Sequence, residues 1–210
     1  MGGLQPDCVI GRLAEVAQRD VSRETFEKIE QYAALLREES ERQNLVSAST
    51  LDRLWDRHIL DSAQLARFEP FSGASWCDIG SGAGLPGIVI SCLVQGAVAL
   101  IEPRRLRADF LHKVCESLHL HAVVVAAKAE RAQGKYDVIT ARAVAKLGQT
   151  FKISAHLSTR KTVWVLPRGR SAEAELAEAR SSWQGAFHVE QSVTDADSRI
   201  VVATEVRSIT

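Results

Sequence analysis

The sequence predicts a doubly wound α/β fold: a mostly parallel, seven-stranded sheet closed by a C-terminal hairpin and preceded by N-terminal helices. Three observations carry this. After Pro70, short apolar runs alternate with amphipathic ones, the signature of strand–helix–strand units with right-handed crossovers. At the first strand-to-helix junction Gly80, Gly82, Gly84 and Gly87 fall within eight positions, where a backbone without side chains lets a ligand approach. The last two β-patterned runs are joined by a polar turn instead of a helix, so the second returns antiparallel to the first.

Element by element, Leu13, Val16 and Ala17 predict a short helix within residues 1–19. A helix over 21–43, N-capped by Asp20 or Ser22, places Phe26, Ile29, Ala33 and Leu36 on one stripe, with a solvated Glu/Arg face opposite. Residues 44–50 break the pattern. A helix over 51–67 follows, with Leu51, Leu54, Trp55, His58, Ile59, Ser62 and Leu65 on its inward stripe. Asp61 lies one turn from Arg57 and His58, a spacing that permits a charged hydrogen bond. Taken alone, His58 reads as a core histidine.

Residues 75–79, 97–102, 121–127, 136–141 and 162–167 then read as strands. Between and after them, 85–94, 104–119, 144–157 and 172–182 read as helices, with Pro86 in the first turn of its own. The run over 121–127 is continuously apolar and β-branched, as a strand covered on both faces would be. Segments 187–193 and 200–206 form the hairpin around a turn at 194–198. Residues 1–70 are thus a helical extension and 71–210 a Rossmann-like domain, packed as one unit.

Composition narrows the function. With 210 residues and 46% apolar content the chain can bury a substantial core. No apolar run is long enough to span a membrane, and the start lacks a secretory pattern. The four cysteines form no C-x-x-C pair, so neither zinc nor a disulfide framework is indicated and a cytoplasmic enzyme with free thiols is expected. Net charge is zero, yet it is unevenly spread: 9 Lys/Arg against 13 Asp/Glu over 1–70, 14 against 6 over 71–170, and 3 against 7 over 171–210. A basic middle that carries the glycine loop suits a site approached by a polyanion.

The loop admits two chemistries. Gly82, Gly84 and Gly87 fit G-x-G-x-x-G, and Glu102 lies 18 positions after Gly84, where an acid takes a ribose hydroxyl in nucleotide-binding sheets. An NAD-dependent oxidoreductase is therefore one reading, although the chain leaves no room for a separate substrate domain. Asp78-x-Gly80-x-Gly82-x-Gly84 instead resembles the first motif of class I S-adenosylmethionine-dependent methyltransferases, which also end in such a hairpin. Methylation at a pyrimidine carbon needs an attacking cysteine, and none of the four is suitably placed. Exocyclic amino methylases carry Asp/Asn-Pro-Pro-aromatic after strand four, where this chain has Thr140-Ala141-Arg142-Ala143. Guanine N7, which has a free lone pair and loses no proton, fits what remains and leaves other acceptors open.

Several segments occur together and in order: Arg57-His58-Ile59-Leu60-Asp61-Ser62, the loop from Asp78 to Ile88, Glu102 with Arg107 and Phe110-Leu111, Lys128-Ala129-Glu130, Thr140 to Val144, and Leu166-Pro167-Arg168-Gly169. Over roughly residues 25–206 the chain thereby resembles the bacterial RsmG family, also called glucose-inhibited division protein B. That resemblance implies transfer of a methyl group from S-adenosylmethionine to N7 of a guanosine in 16S ribosomal RNA; a monomer without a metal is expected. It places cofactor contacts at Gly80, Leu85, Ala129, Glu130 and Arg142. The general methyltransferase pattern adds Asp78, Gly82, Gly84 and Glu102. Arg142 and His58 are the candidate catalytic residues, and the helix bearing His58 and Asp61 is expected to border the site.

Candidate RNA contacts are Arg104, Arg105, Lys146, Arg168 and Arg170, with Arg107, Arg160 and Lys161 in the same basic set. Two places depart from the family. Glu39, Ser40 and Glu41 stand where Trp-Asn-Lys is usual, and Arg168-Gly169 replaces Lys-Gly. A non-catalytic RNA-binding or assembly factor with this fold is the further alternative.

Overall fold

A computed structural model describes residues 6–209, apart from the side chains at 48 and 49; residues 1–5 of the expected first segment lie outside it. Helix α1 (Pro6–Ala17) buries Val9, Leu13, Val16 and Ala17. Helix α2 (Arg23–Ser40) starts at Ser22, whose Oγ accepts the Thr25 N–H at 3.0 Å, an N-cap that satisfies an otherwise orphaned donor. Its buried stripe contains the expected Phe26, Ile29, Ala33 and Leu36, and also Tyr32.

The expected helix over 51–67 is broken. Helix α3 (Ala48–Leu51) precedes a π turn (Trp55–Ile59), closed by the Leu60 N–H on the Trp55 carbonyl. Helix α4 (Leu60–Ala63) then tightens into a 3₁₀ turn (Gln64–Phe68). Wide turns of this kind often occur at functional sites. His58 lies within it.

Seven strands form one sheet: β1 (Trp76–Ile79), β2 (Val98–Ile101), β3 (Ala122–Val125), β4 (Val138–Ala141), β5 (Val163–Arg168), β6 (Trp183–Gln191) and β7 (Arg199–Ser208), in the order β3-β2-β1-β4-β5-β7-β6. The first five run parallel. β7 enters antiparallel beside β5, with β6 on its outer edge. The hairpin is longer than the pattern suggested because its polar outer half still pairs in the ladder. The 121–127 run was expected to be covered on both faces. β3 is instead an edge strand, with Val123 64% exposed, since a run of β-branched residues encodes the strand but not its place in the sheet.

Pleating sends alternate side chains to two cores. Trp76, Val98, Leu100 and Val138 join α1, α2, helix α5 (Gly87–Leu93) and helix α6 (Arg105–Ser117) on one face. Cys77, Ile79, Ile139 and Trp164 join helix α7 (Leu147–Ser154) and helix α8 (Ala172–Ala179) on the other. α7 starts three residues later than its apolar pattern, because Ala143 adopts φ +54° and turns the chain after β4. Pro86 precedes α5 as its N-cap and is not in its first turn.

Candidate functional site

Register aligns the carboxyl ends of the parallel strands. Ile79 pairs with Ile101 on one side and with Ala141 on the other, so the next residues, Gly80, Glu102 and Arg142, emerge along one rim. In a doubly wound sheet this rim is where ligands bind.

Gly80 and Gly82 show why the loop needs glycine. Their φ values are +66° and +55°, the left-handed region disfavoured for residues with a Cβ. A Cβ on Gly80 would stand 2.7 Å from Val144 Cγ2. The Gly82 N–H donates to Glu102 Oε2 at 2.9 Å, and the Arg104 N–H donates to Glu102 Oε1 at 2.8 Å. Glu102 is therefore held by two backbone donors, with lone pairs left on each oxygen.

A cleft wraps this loop. One part, about 390 Å³, is lined by Gly80, Glu102, Arg104, Arg107, Ala129 and Glu130. The other, about 360 Å³, is lined by Gly80, Gly82, Leu85, His58, Arg107 and Arg142 among others. Gly80, Arg107 and Ala143 belong to both. Ala129 and Glu130 reach it from a 3₁₀ turn (Ala129–Arg131) after β3. Of the expected cofactor residues, Asp78 and Gly84 do not line either part. Asp78 is 1% exposed beneath the loop, where its Oδ2 accepts the Gly87 N–H at 3.1 Å. Burial raises its carboxyl to about 7, against the lowering effect of that hydrogen bond. Asp78 Oδ1 is buried without a partner.

At the far end of the cleft, Arg142 Nη1 donates to His58 Nδ1 at 3.3 Å and lies 3.8 Å from Asp61 Oδ2. Arginine has no acceptor, so His58 Nδ1 accepts and Nε2 carries the hydrogen. Burial, then the charges of Arg142 and Arg57, lower His58 to about 4; it is neutral at working pH and half-buried.

The expected bond from Asp61 to Arg57 or His58 does not form. Asp61 Oδ1 accepts from Gln64 Nε2 at 2.8 Å and Thr194 Oγ1 at 2.9 Å, while Arg57 pairs with Asp195 at 2.9 Å. The π turn rotates these side chains toward the hairpin turn and away from one another. Gln64 completes the fastening by accepting the Val193 N–H at 2.9 Å.

Arg168 is not the exposed cation that its place in the basic set suggested. Its side chain is 6% exposed and its guanidinium donates to the carbonyls of Ala141 and Pro167 and to Thr150 Oγ1, with Glu175 at 3.5 Å. Arg104, Arg105, Lys146 and Arg170 are exposed; Lys146 pairs with Glu178 and Arg170 with Asp197. Burial pushes Cys92 up to about 12 and Cys115 to about 11, and raises Cys77 as well, so these thiols do not serve as nucleophiles.

Two contributors escaped the sequence. Tyr32, fully buried on α2, donates its hydroxyl to the Ala83 carbonyl inside the glycine loop at 2.9 Å. Its i, i+3 and i+4 neighbours in the apolar stripe were the available signal. Gln64 had none, because its partners in the hairpin turn lie about 130 positions away.

Comparison with known proteins now becomes specific. The family model described as rRNA small subunit methyltransferase G matches residues 25–202. A ribosomal RNA small subunit methyltransferase G from Zymomonas mobilis is 44% identical over 195 residues, covering 89% of this chain and 88% of that one. Its counterpart from Sphingopyxis alaskensis is 46% identical over 186 residues, covering 87% and 80%. Among solved structures, a SAM-dependent methyltransferase from Aquifex aeolicus gives a TM-score of 0.61 at 14% identity, covering 79% of this chain and 97% of that one. The T. thermophilus 16S rRNA N2 G1207 methyltransferase gives 0.51 at 19%, covering 67% and 37%. At such identities these two carry the fold alone, that of the class I Rossmann-like methyltransferases.

Proposed function

The chain belongs to the rRNA small subunit methyltransferase G family, and on that premise we propose that it transfers the methyl group of S-adenosylmethionine to N7 of a guanosine in 16S ribosomal RNA. The observation that carries the reading is the rim itself: a glycine loop with left-handed Gly80 and Gly82, braced on Glu102, in one continuous cleft with Arg142 and His58. The residues fit the cofactor. Glu102 keeps lone pairs for ribose hydroxyls, Ala129 and Glu130 flank the place of the base, and Gly80, Gly82 and Leu85 leave backbone open to the methionine part. Arg142 supplies a fork for its carboxylate or for the acceptor. Asp78 braces the loop from below through Gly87.

S-adenosylmethionine held there would supply an electrophilic sulfonium methyl: the N7 lone pair would attack its carbon in line, the thioether would leave with the carbon–sulfur electrons, and the purine ring would take the positive charge. No proton leaves N7. The protein's task is therefore alignment and exclusion of water, and His58, neutral and accepting from Arg142, orients that guanidinium without serving as a base. A displacement of this kind needs no Lewis acid, which supports a metal-free enzyme. Action as a monomer is part of the same proposal. Among the described residues no helix is long and apolar enough to cross a membrane, and a cytoplasmic location accords with an RNA substrate.

Exposed Arg104 and Arg105 beside Glu102, with Lys146 and Arg170 across the rim, are placed to meet phosphates. The pairs of the latter two with Glu178 and Asp197 are exposed and weak enough to yield. Arg168, whose guanidinium is engaged by Ala141, Pro167 and Thr150, is not among these phosphate contacts, though it lines the cavity between β4 and β5.

The test is methyl transfer from labelled S-adenosylmethionine to 16S RNA and to small subunits from cells lacking the enzyme, with the product mapped by chain cleavage at N7-methylguanosine. One labelled guanosine, with transfer weakening as salt rises, is the expected result. RNA binding without transfer would favour the assembly-factor alternative, and stabilisation by NAD instead of S-adenosylmethionine would favour the oxidoreductase.

A further inference from the structure

Beside the cofactor cleft lies a cavity of about 470 Å³, larger than either part of the cleft. It sits between the carboxyl ends of β4 and β5 and the hairpin turn, and its walls include Asp61, Arg142, Pro167, Ser198 and Ile200. It shares Arg142 and Ala143 with the part of the cleft that holds His58. A group seated there would be adjacent to whatever the Arg142 end of the cleft presents. Building on the transferase reading, we propose that this cavity receives the acceptor guanine and that Arg142 and Asp61 together read its O6/N1–H edge.

The polar groups available match that edge. Asp61 Oδ1 is used internally by Gln64 and Thr194. Oδ2 makes no hydrogen bond of normal length, since its approach to Arg142 is 3.8 Å. Arg142 Nη1 is engaged by His58, while Nε and Nη2 form no hydrogen bond among the described residues. A donor and an acceptor therefore stand side by side at the mouth of the cavity, with side chains 23% and 20% exposed. Guanine presents an acceptor, O6, beside a donor, N1–H, and the pairing is satisfied at both atoms. Adenine presents the reverse, an amino group beside an unprotonated N1. It would set donor against guanidinium and acceptor against carboxylate, an arrangement that leaves buried polar groups unpaired.

Arginine commonly forks onto guanine O6 and N7 together. Here that fork would block the lone pair that reacts. Asp61 prevents it by drawing the guanidinium to the O6/N1 side, with His58 accepting on the opposite flank. N7 is then free to face the cofactor cleft across Ala143. The inference also accounts for the network of Gln64, Ser192 and Thr194, which fixes the hairpin turn and the Asp61 carboxylate relative to one another.

The experiment uses RNA carrying guanosine, inosine or 2,6-diaminopurine riboside at the mapped target position. Inosine keeps O6, N1–H and N7; diaminopurine keeps N7 and the 2-amino group but reverses the read edge. Wild-type protein is expected to methylate inosine within about tenfold of guanosine and diaminopurine at least ~100-fold less efficiently, since diaminopurine leaves both read atoms mispaired. Asp61→Asn keeps an acceptor for Gln64 and Thr194 and turns a donor toward the cavity. It should bind S-adenosylmethionine as the wild type does, lose guanosine methylation about 100-fold, and narrow the guanosine-to-diaminopurine ratio at least tenfold. Equal use of guanosine and diaminopurine by the wild type would overturn the proposal, as would an unchanged ratio in a variant that binds cofactor normally. Absence of any transfer to guanosine by the wild type would instead overturn the functional reading on which it rests.

Discussion

The two halves of the rim are built differently. On the β1–β2 side, contacts join residues close in sequence: Asp78 braces Gly87 nine positions on, and Glu102 holds Gly82 and Arg104 across 20 and two positions. On the β4–β5 side, contacts span the chain: Arg142 meets His58 across 84 positions, Asp61 meets Thr194 across 133, and Gln64 meets Val193 across 129. The first half is a local motif, proposed above to hold a cofactor shared by many enzymes. The second is assembled by tertiary packing and gathers the groups proposed above to choose an acceptor. Damage to the first should appear in cofactor binding, and damage to the second in transfer.

Gly82→Val is expected to have the largest effect. Its strain comes chiefly from the backbone, because a Cβ there would have Arg107 Nη1 at 3.5 Å and Glu102 Oε2 at 4.0 Å, ordinary distances, while φ is +55°. A β-branched residue rejects that conformation, so the Gly82 N–H swings off Glu102 and the loop closes on the cofactor's place. Calorimetry should show affinity for S-adenosylmethionine reduced at least ~100-fold, about 2.7 kcal/mol. Retained affinity would show that this loop does not hold the cofactor.

Arg142→Lys probes the other half. Lysine keeps the charge but loses the fork, so it cannot meet His58 and an acceptor atom together. Methylation should fall about 100-fold, about 2.7 kcal/mol of transition-state stabilisation, with a modest loss of thermal stability. A large fall in melting temperature with near-normal methylation would make Arg142 a structural tie to Asp61 and His58, and would erase the contrast between the halves.

Glu102→Ala should have a smaller effect than Gly82→Val because it leaves the backbone conformation available. It removes a ribose acceptor and leaves two backbone N–H groups without their partner, so affinity should weaken by about 1–3 kcal/mol, the range for a charged hydrogen bond. A loss confined to turnover, with binding untouched, would move Glu102 out of the cofactor half.

This contrast also explains what the sequence disclosed. The glycine loop, Glu102 and the alternation of strands and helices up to β5 are written in spacing and periodicity, because each depends on neighbours within one strand–helix unit. The regular helix expected over 51–67 was wrong in detail because tertiary contacts of Asp61 and Gln64 to the hairpin turn reward a π turn that the apolar stripe does not encode. Arg168 looked like a surface cation because charge patterning cannot show that Ala141, Thr150 and Glu175 converge on it. The edge position of β3 was hidden for the same reason: strand propensity reports pairing, not what covers the strand.

Tyr32→Phe asks whether α2 belongs to the local half or merely supports it. The phenol is fully buried, and burial holds it protonated well above its ordinary range. Its O–H donates to the Ala83 carbonyl, between Gly82 and Gly84 in the loop. Phenylalanine keeps the ring in its place among Ile29, Ala33 and Leu36 and removes one hydrogen bond, leaving the Ala83 carbonyl without this donor. The loss is about 1–3 kcal/mol, which at this chain length lowers the melting temperature by roughly 2–4 °C for each kcal/mol. If α2 sets the loop's shape, part of that loss returns as weaker binding, and affinity for S-adenosylmethionine should fall about three- to tenfold while the ratio of guanosine to diaminopurine methylation stays as in the wild type. A lower melting temperature with unchanged cofactor affinity would make α2 a passive cover, and the cofactor half would then be as self-contained as its sequence motif suggests.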